Sequence, residues 1–240
     1  MKKYLKVVGL LFISVLIIIL IRKGNSLFVS KYAVVGVDVS HYQGDVDFDK
    51  MEKDHIQFAF IKATEGAKYK DDMFEINMER AEKSNIYIGS YHFFSAKSSG
   101  KKQANNYINT VGDLTGKLFP VIDVEVYESD DGTYNIVDEL NEYINCIENY
   151  YGVKPIIYTT IKNYNKYIKS NFEECPLWIR SVYFPANFIT KEWTFWQYSD
   201  SEIKEYYQGE EECIDMNVFN GSLEELKKMI INNMRNSYKR

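Results

Sequence analysis

Phe119-Pro120-Val121-Ile122-Asp123-Val124-Glu125 is the stretch whose reading decides the fold. It is a short apolar, β-branched run entered through a proline, and it reads as a buried strand. Side chains two residues apart on a strand face the same way, about 6.5 Å from each other along it. Asp123 and Glu125 therefore share one face, while Ile122 and Val124 pack on the other. Two carboxylates held together in apolar surroundings cannot both ionise cheaply. Such a pair has two readings. It can end a strand in water or in ion pairs. Alternatively, it can serve chemistry that needs one protonated and one ionised carboxyl group. Glycoside hydrolysis is chemistry of that kind: one group protonates the leaving oxygen and the other stabilises positive charge at the sugar carbon.

Two further segments carry an acid on a short apolar strand. Near the start is Val35-Gly36-Val37-Asp38-Val39-Ser40-His41-Tyr42-Gln43-Gly44, and near the end is Cys213-Ile214-Asp215-Met216-Asn217-Val218-Phe219. If these are the first and last strands of a closed barrel, closure makes them neighbours and brings Asp38 to Asp215. In (β/α) barrels the reactive groups gather at the C-terminal ends of the strands. Four acids from three strands would then line one groove.

These segments and others resemble glycoside hydrolase family 25, the Chalaropsis-type lysozymes. The matching stretches run in the family's order: Gly36–Gly44, Phe58–Gly66, Gly89–Phe93, Pro120–Glu125, Pro155–Tyr158, Leu177–Ile179, Trp193–Tyr198 and Ile214–Asn217. The resemblance covers roughly residues 34 to 225. The resemblance implies a flattened barrel that cleaves the β-1,4 bond between N-acetylmuramic acid and N-acetylglucosamine in peptidoglycan, with retaining chemistry. It also implies catalytic positions at Asp38, Asp123, Glu125 and Asp215. Two departures stand out: Phe48 where a Trp is common, and Arg180-Ser181-Val182 in place of a shorter stretch before Tyr183. A chitinase-like hydrolase and a catalytically silent wall-binding module held at the membrane are the alternatives. The first would carry a longer Gly- and Asp-rich run before its Glu; the second would have lost Glu125.

The pattern of the chain predicts an α/β fold. Strands are expected near 34–38, 57–62, 86–92, 118–124, 154–159, 176–180, 193–197 and 212–216. Helices are expected near 71–84, 100–111, 135–150, 161–169 and 223–234. No helical period lies between the last three strands, so the barrel should be irregular, with helices missing late in the chain. Glu125 is the expected general acid, its pKa raised by an ionised Asp123. Asp123 would act as the charge-stabilising group, either by orienting the substrate's N-acetyl group or as a nucleophile. Asp38 and Asp215 would tune the site. Tyr91, Trp196 and Gln197 are candidates for the sugar groove, with core packing as their other reading. His92 alternates with Tyr91, so only one of the two can point inward. Lys62 and Glu65 are candidates for substrate contact or for a charge pair, and Trp178 reads as core.

The N-terminus is a separate object. Val7 to Ile21 is apolar apart from Gly9 and Ser14, with Lys2, Lys3 and Lys6 before it and Arg22 and Lys23 after it. No small-residue cleavage pattern follows. Residues 7–21 are therefore expected to form a hydrophobic helix, an uncleaved transmembrane signal anchor. Residues 1–6 would be a cytoplasmic stub, residues 22–33 a polar tether, and residues 34–240 the catalytic domain. A cleaved signal peptide, giving a secreted enzyme, is the alternative. The substrate lies outside the cell, so the barrel is expected there, on a bacterial membrane. Residues 25–240 keep 24 of the 29 Lys and Arg and all 34 Asp and Glu, a net charge of −10. That balance argues against nucleic acid as a partner and assigns wall recognition to the groove. Cys146, Cys175 and Cys213 are an odd number, leaving at least one free thiol. His41, His55 and His92 lack metal-ligand spacing. No metal or cofactor is expected, and the enzyme should act as a monomer.

Overall fold

The fold follows from one alternation, repeated strand after strand. The computed structural model describes Tyr4, Asn25 and residues 28–127, 134–190 and 192–232. Within them lie β1 (Val34–Val39), β2 (Phe58–Glu65), β3 (Tyr69–Lys70), β4 (Tyr87–Phe93), β5 (Val121–Val124), β6 (Ile156–Thr160), β7 (Leu177–Arg180), β8 (Phe195–Glu202) and β9 (Ile214–Phe219). Eight of these close into a barrel in the order β1-β2-β4-β5-β6-β7-β8-β9, with β9 returning to β1; β3 is a short antiparallel addition to β2. Strands β1 to β8 pair in parallel around the ring. β9 is antiparallel to both its neighbours. The reason is local. Parallel pairing needs a crossover of about a dozen residues or more; residues 181–194 give β7 and β8 such a crossover without an α-helix, whereas after β8 the chain turns straight back through residues 203–213 as a hairpin. The start of β9, rather than its end, therefore lies beside the C-terminal ends of the other strands.

Every second residue of each strand faces inward. Val34, Phe58, Phe60, Val121, Ile156, Tyr158, Trp178, Phe195 and Phe219 form the barrel's own buried cluster. The rings of Phe60, Trp178 and Phe195 lie 4.9–6.1 Å apart, centroid to centroid. The bottom of the barrel is stopped by Leu118, Leu226 and Met229, which belong to the same cluster. The alternate residues, Ile61, Ile122, Ile157, Ile179 and Val218 among them, face a larger cluster shared with the helices.

Helices cover the outside of the early barrel: α1 (Phe48–Lys53), α2 (Phe74–Ala81), α3 (Gly100–Val111) and α4 (Ile136–Tyr151). α4 shows why such segments form. Asn135 caps its first turn by accepting from the Val137 N–H, and Gly152 ends it in the left-handed conformation. Its buried residues Ile136, Leu140, Tyr143, Ile144, Ile147 and Tyr151 repeat at three and four, the spacing of one helix face. Late in the chain the cover thins to α5 (Ile161–Asn163), running on into a wider turn at Tyr164–Ile168, and α6 (Leu223–Lys227). Only a single 3₁₀ turn, Ala186–Phe188, stands between β7 and β8. The α/β barrel without late helices is as the sequence predicts. α1 is an addition, and the 71–84 and 223–234 helices are shorter than expected.

Among the described residues no helix is long and apolar enough to cross a membrane. The expected anchor at 7–21 lies outside the described residues. Of the expected tether, Asn25 is buried and Val29 and Tyr32 pack on the larger cluster.

The barrel interior leaves no spare volume beside its glycines. A Cβ on Gly89 would run into the Phe60 ring, and one on Gly36 into Phe58. Overpacking a well-filled core typically costs about 1–3 kcal/mol. Gly89→Ala is therefore expected to lower stability by about that amount in urea denaturation; an unchanged midpoint would contradict the packing described.

Candidate active site

The inward-facing row continues upward from the aromatic core into polar side chains. Above Gly36 on β1 comes Asp38, above Phe60 on β2 comes Lys62, and above Val121 on β5 comes Asp123, with Glu125 just past the strand. Above Trp178 on β7 comes Arg180, and above Phe195 on β8 comes Gln197. On β9, which runs the other way, Asn217 and then Asp215 precede Phe219. A groove at this end is lined by Asp38, Asp123, Glu125 and Asp215, with Lys62, Tyr91, Tyr158, Trp178 and Arg180 among its other walls. Asp38 stands directly across the ladder from Asp215. The two acids are 177 positions apart in sequence and meet because the barrel closes.

Asp38 is the fixed point of the site. Its Oδ2 accepts from Asn217 Nδ2 at 2.7 Å and from Gln197 Nε2 at 3.1 Å. Each amide is turned by a further donor: Trp178 Nε1 donates to Asn217 Oδ1, and Tyr158 Oη donates to Gln197 Oε1, both at 2.9 Å. With their oxygens occupied, both amides can only present N–H groups to Asp38. Burial pushes the Asp38 carboxyl upward, and these donors pull it back. Asp215 is pushed up by burial and then by the Asp38 charge, with Arg180 opposing. Two amides stabilise the ionised form of Asp38, and Asp215 is raised further, to about 9, so Asp215 is the one of the two that keeps a proton.

Asp123 is buried and its pKa is raised well above the usual carboxylate range. Burial is the main cause, followed by the charges of Glu125 and Asp38; Lys62 opposes. Its Oδ1 is buried without a hydrogen-bond partner. Glu125 is partly exposed, and its Oε2 accepts from Tyr127 Oη at 3.0 Å. The expectation from sequence put the raised pKa on Glu125. In the structure Asp123 is the more deeply buried of the two, because it is still inside the strand while Glu125 has left it.

The other candidates separate by strand face. Tyr91 faces the groove, and burial with the surrounding acids holds its hydroxyl protonated. His92 faces outward, stacked on Tyr143 with centroids 5.1 Å apart and bonded to Thr64 and Gln103. Its pKa is lowered to about 4, chiefly by burial. Lys62 reaches the groove, held by Glu65 Oε2 at 2.8 Å and lying over the Phe93 ring. Glu65 positions Lys62 and is not itself on the groove wall. Gln197 belongs to the site through Asp38. Trp196 does not line the groove. It is 1% exposed, lies in the cluster shared with the helices, and donates to the Ser181 carbonyl. The reason is strand alternation: its neighbour Gln197 faces in, so Trp196 must face out. Trp178, read as core, is core at its base and groove wall above. Asn217, Tyr158 and Arg180 were missed. Asn217 lies two residues from Asp215, so the same alternation could have found it. Cys146, Cys175 and Cys213 are all free thiols.

Comparisons with known proteins agree with this geometry. The family description "Glycosyl hydrolases family 25" matches residues 37–206. A solved family 25 glycosyl hydrolase from Bacillus anthracis is 41% identical, with a TM-score of 0.76 over 82% of this chain and 94% of that one. Lysozyme M1 of Streptomyces globisporus is 33% identical over 79% of this chain and 68% of its own length. The N,O-diacetylmuramidase of Chalaropsis sp. is 29% identical over 82% of this chain and 98% of its own. With its eight-stranded barrel, its acid-lined groove and a family match over most of its length, this chain belongs to glycosyl hydrolase family 25.

Proposed function

We propose that this protein is a lysozyme that hydrolyses the β-1,4 bond between N-acetylmuramic acid and N-acetylglucosamine in peptidoglycan. The observation that carries this is the convergence of Asp38, Asp123, Glu125 and Asp215 on one groove of a family 25 barrel. The names of the relatives, a lysozyme and an N,O-diacetylmuramidase, support the choice of substrate.

Glu125 is the general acid in this reading. Tyr127 occupies one of its oxygens, and the other carries the proton to the glycosidic oxygen as the bond to the anomeric carbon breaks. Asp123 faces the sugar from deeper in the barrel. Its unpartnered Oδ1 suits a substrate donor, and an N-acetyl group offers an amide N–H. Held there, the acetamido oxygen attacks the anomeric carbon, and the amide nitrogen's positive charge develops against Asp123. Glu125, now ionised, takes a proton from the water that opens this intermediate, so configuration is retained. Asp38 and Asp215 supply the surrounding field, and Tyr91 supplies a hydroxyl donor. We also propose that residues 7–21 anchor the domain, residues 34–240, to the outer face of a bacterial membrane as a single-pass protein. The support is the apolarity of that run, extended by Tyr4 and Leu5 and flanked by Lys and Arg side chains that can snorkel to the interface.

Four measurements test this. The purified protein should release muropeptides with muramic acid reducing ends from peptidoglycan; N-acetylglucosamine reducing ends would identify a glucosaminidase instead. Glu125→Gln should lower activity about 10²–10⁴-fold without loss of folding, and a substrate with a good leaving group should partly restore it. Asp123→Asn should be as severe, with no such rescue; rescue of Asp123→Asn alone would exchange the two roles. Asp38→Asn removes a negative charge that raises both Asp123 and Asp215. The carboxyls around it then lose protons at lower pH, so the pH profile of kcat/KM should move to the acid side.

The same charges make a stability prediction. Folding raises Asp215 from 3.8 to about 9, so the folded state binds its proton more tightly than the unfolded chain does. Stability from that group is full at low pH and is lost as pH rises between the two values. Asn has no such loss. The melting temperature of Asp215→Asn relative to the parent should therefore climb as pH is raised through this window, and a constant difference would show that Asp215 is not held protonated.

A further inference from the structure

Asn25, Phe28 and Tyr32, which follow the apolar run in sequence, pack against the barrel. Asn25 is 2% exposed, and its Nδ2 donates to the carbonyls of Ser181 and Tyr198, each at 3.0 Å. Tyr32 stands edge-on to Trp193 and Trp196, with centroids at 5.2 and 6.2 Å. Its hydroxyl accepts from Asn187. Phe28 packs edge-on against Phe188. The start of the domain is thus docked along the link between β7 and β8, residues 181–194.

That link carries three exposed aromatic side chains within six residues. Tyr183, Phe184 and Phe188 are 61%, 55% and 71% exposed, and Phe28 beside them is 43% exposed. Single exposed apolar residues are ordinary, but a cluster of large ones marks a contact surface. Three observations identify the partner. First, Ile21, the last residue of the apolar run, is four positions from the docked Asn25. A fully extended chain spans at most about 14 Å over that distance, so the aromatic cluster cannot lie far from wherever the run ends. Second, Arg22 and Lys23 lie between the run and residues 25–240, whose net charge is −10, and Lys31 follows close by. Basic side chains beside the run suit anionic lipid headgroups. Third, aromatic side chains favour the membrane–water boundary.

We propose that Phe28, Tyr183, Phe184 and Phe188 form the face by which the domain rests on the lipid bilayer, embedded at the headgroup boundary. This rests on the anchor proposed above and adds to it. The anchor alone would let the domain tumble on a tether, whereas the docked segment and the aromatic face hold it in one orientation. Arg180, at the rim of the groove, immediately precedes this link, so the groove is held beside the membrane. The glycan it reaches is the layer next to the bilayer.

The test uses the full chain in nanodiscs of phosphatidylethanolamine and phosphatidylglycerol, with Cys146 and Cys213 replaced by Ser. A polarity-sensitive fluorophore is placed by Phe184→Cys, by Phe188→Cys, or by Ile76→Cys on α2 as the control. The expected result is blue-shifted emission at 184 and 188, and its loss when the lipids are brominated near the headgroup, with neither change at 76. Asn25→Ala should weaken the quenching at 188 while the protein stays in the disc. A protein retained in the disc but quenched no more at 184 and 188 than at 76 would overturn the proposal and leave the anchor standing. Failure of the full chain to stay with the discs would overturn both. A blue shift without lipid quenching, together with a doubled mass, would give the face to a second copy of this chain and overturn the proposal.

Discussion

Four carboxyl groups at one end of a barrel repel one another, and the structure is arranged around that repulsion. It is managed without a dense shell of cations. Lys62 and Arg180 are the basic side chains on the groove wall, and each has an acidic partner of its own, Glu65 and Asp200. What stabilises the cluster is unequal treatment of its members. Asp38 receives two oriented amides and is the acid built to be ionised. Asp215 lies against it and keeps a proton. Asp123 is buried with one oxygen unpartnered, and Glu125 meets solvent and a tyrosine hydroxyl. One type of group thus meets four different environments, set by burial and by donors.

The donors explain why the aromatic core and the site are a single object. Trp178 packs against Phe60 in the barrel interior and also turns the amide of Asn217. Tyr158 packs edge-on against Trp178 and turns the amide of Gln197. Charged and neutral hydrogen bonds differ about twofold in strength, so the gain at Asp38 depends on both amides facing the right way. The rings that fill the barrel secure that orientation, and a loosening of the core would reach the acids directly.

The antiparallel last strand is the second arrangement the site depends on. Had a crossover followed β8, the final strand would have run parallel, and an acid near its start would lie at the bottom of the barrel. The hairpin return turns β9 around and brings Asp215 to the top, opposite Asp38. Irregularity late in the chain is therefore part of how the site is built. The thin cover on that side also leaves the 181–194 link free to receive the first residues of the domain.

Much of this was legible in the sequence, for a physical reason. Strand alternation and helical spacing are local, so the strands, the longer helices and the shared face of Asp123 and Glu125 could be read without coordinates. The same local rule sorts Tyr91 from His92, and it would have sorted Gln197 from Trp196 and added Asn217 to the site. Other features depend on distant parts of the chain coming together. Whether Asp38 meets Asp215 depends on barrel closure, and which acid keeps a proton depends on burial and on donors from β8 and β9. How deeply Asp123 is buried could not be read, because spacing shows that two carboxyl groups are neighbours but not the burial of each. The sequence by itself determined the elements, the family resemblance and the identity of the four acids. Tertiary structure alone decided their charge states and the direction of the last strand, because solvation and long-range contact exist only once the barrel has closed.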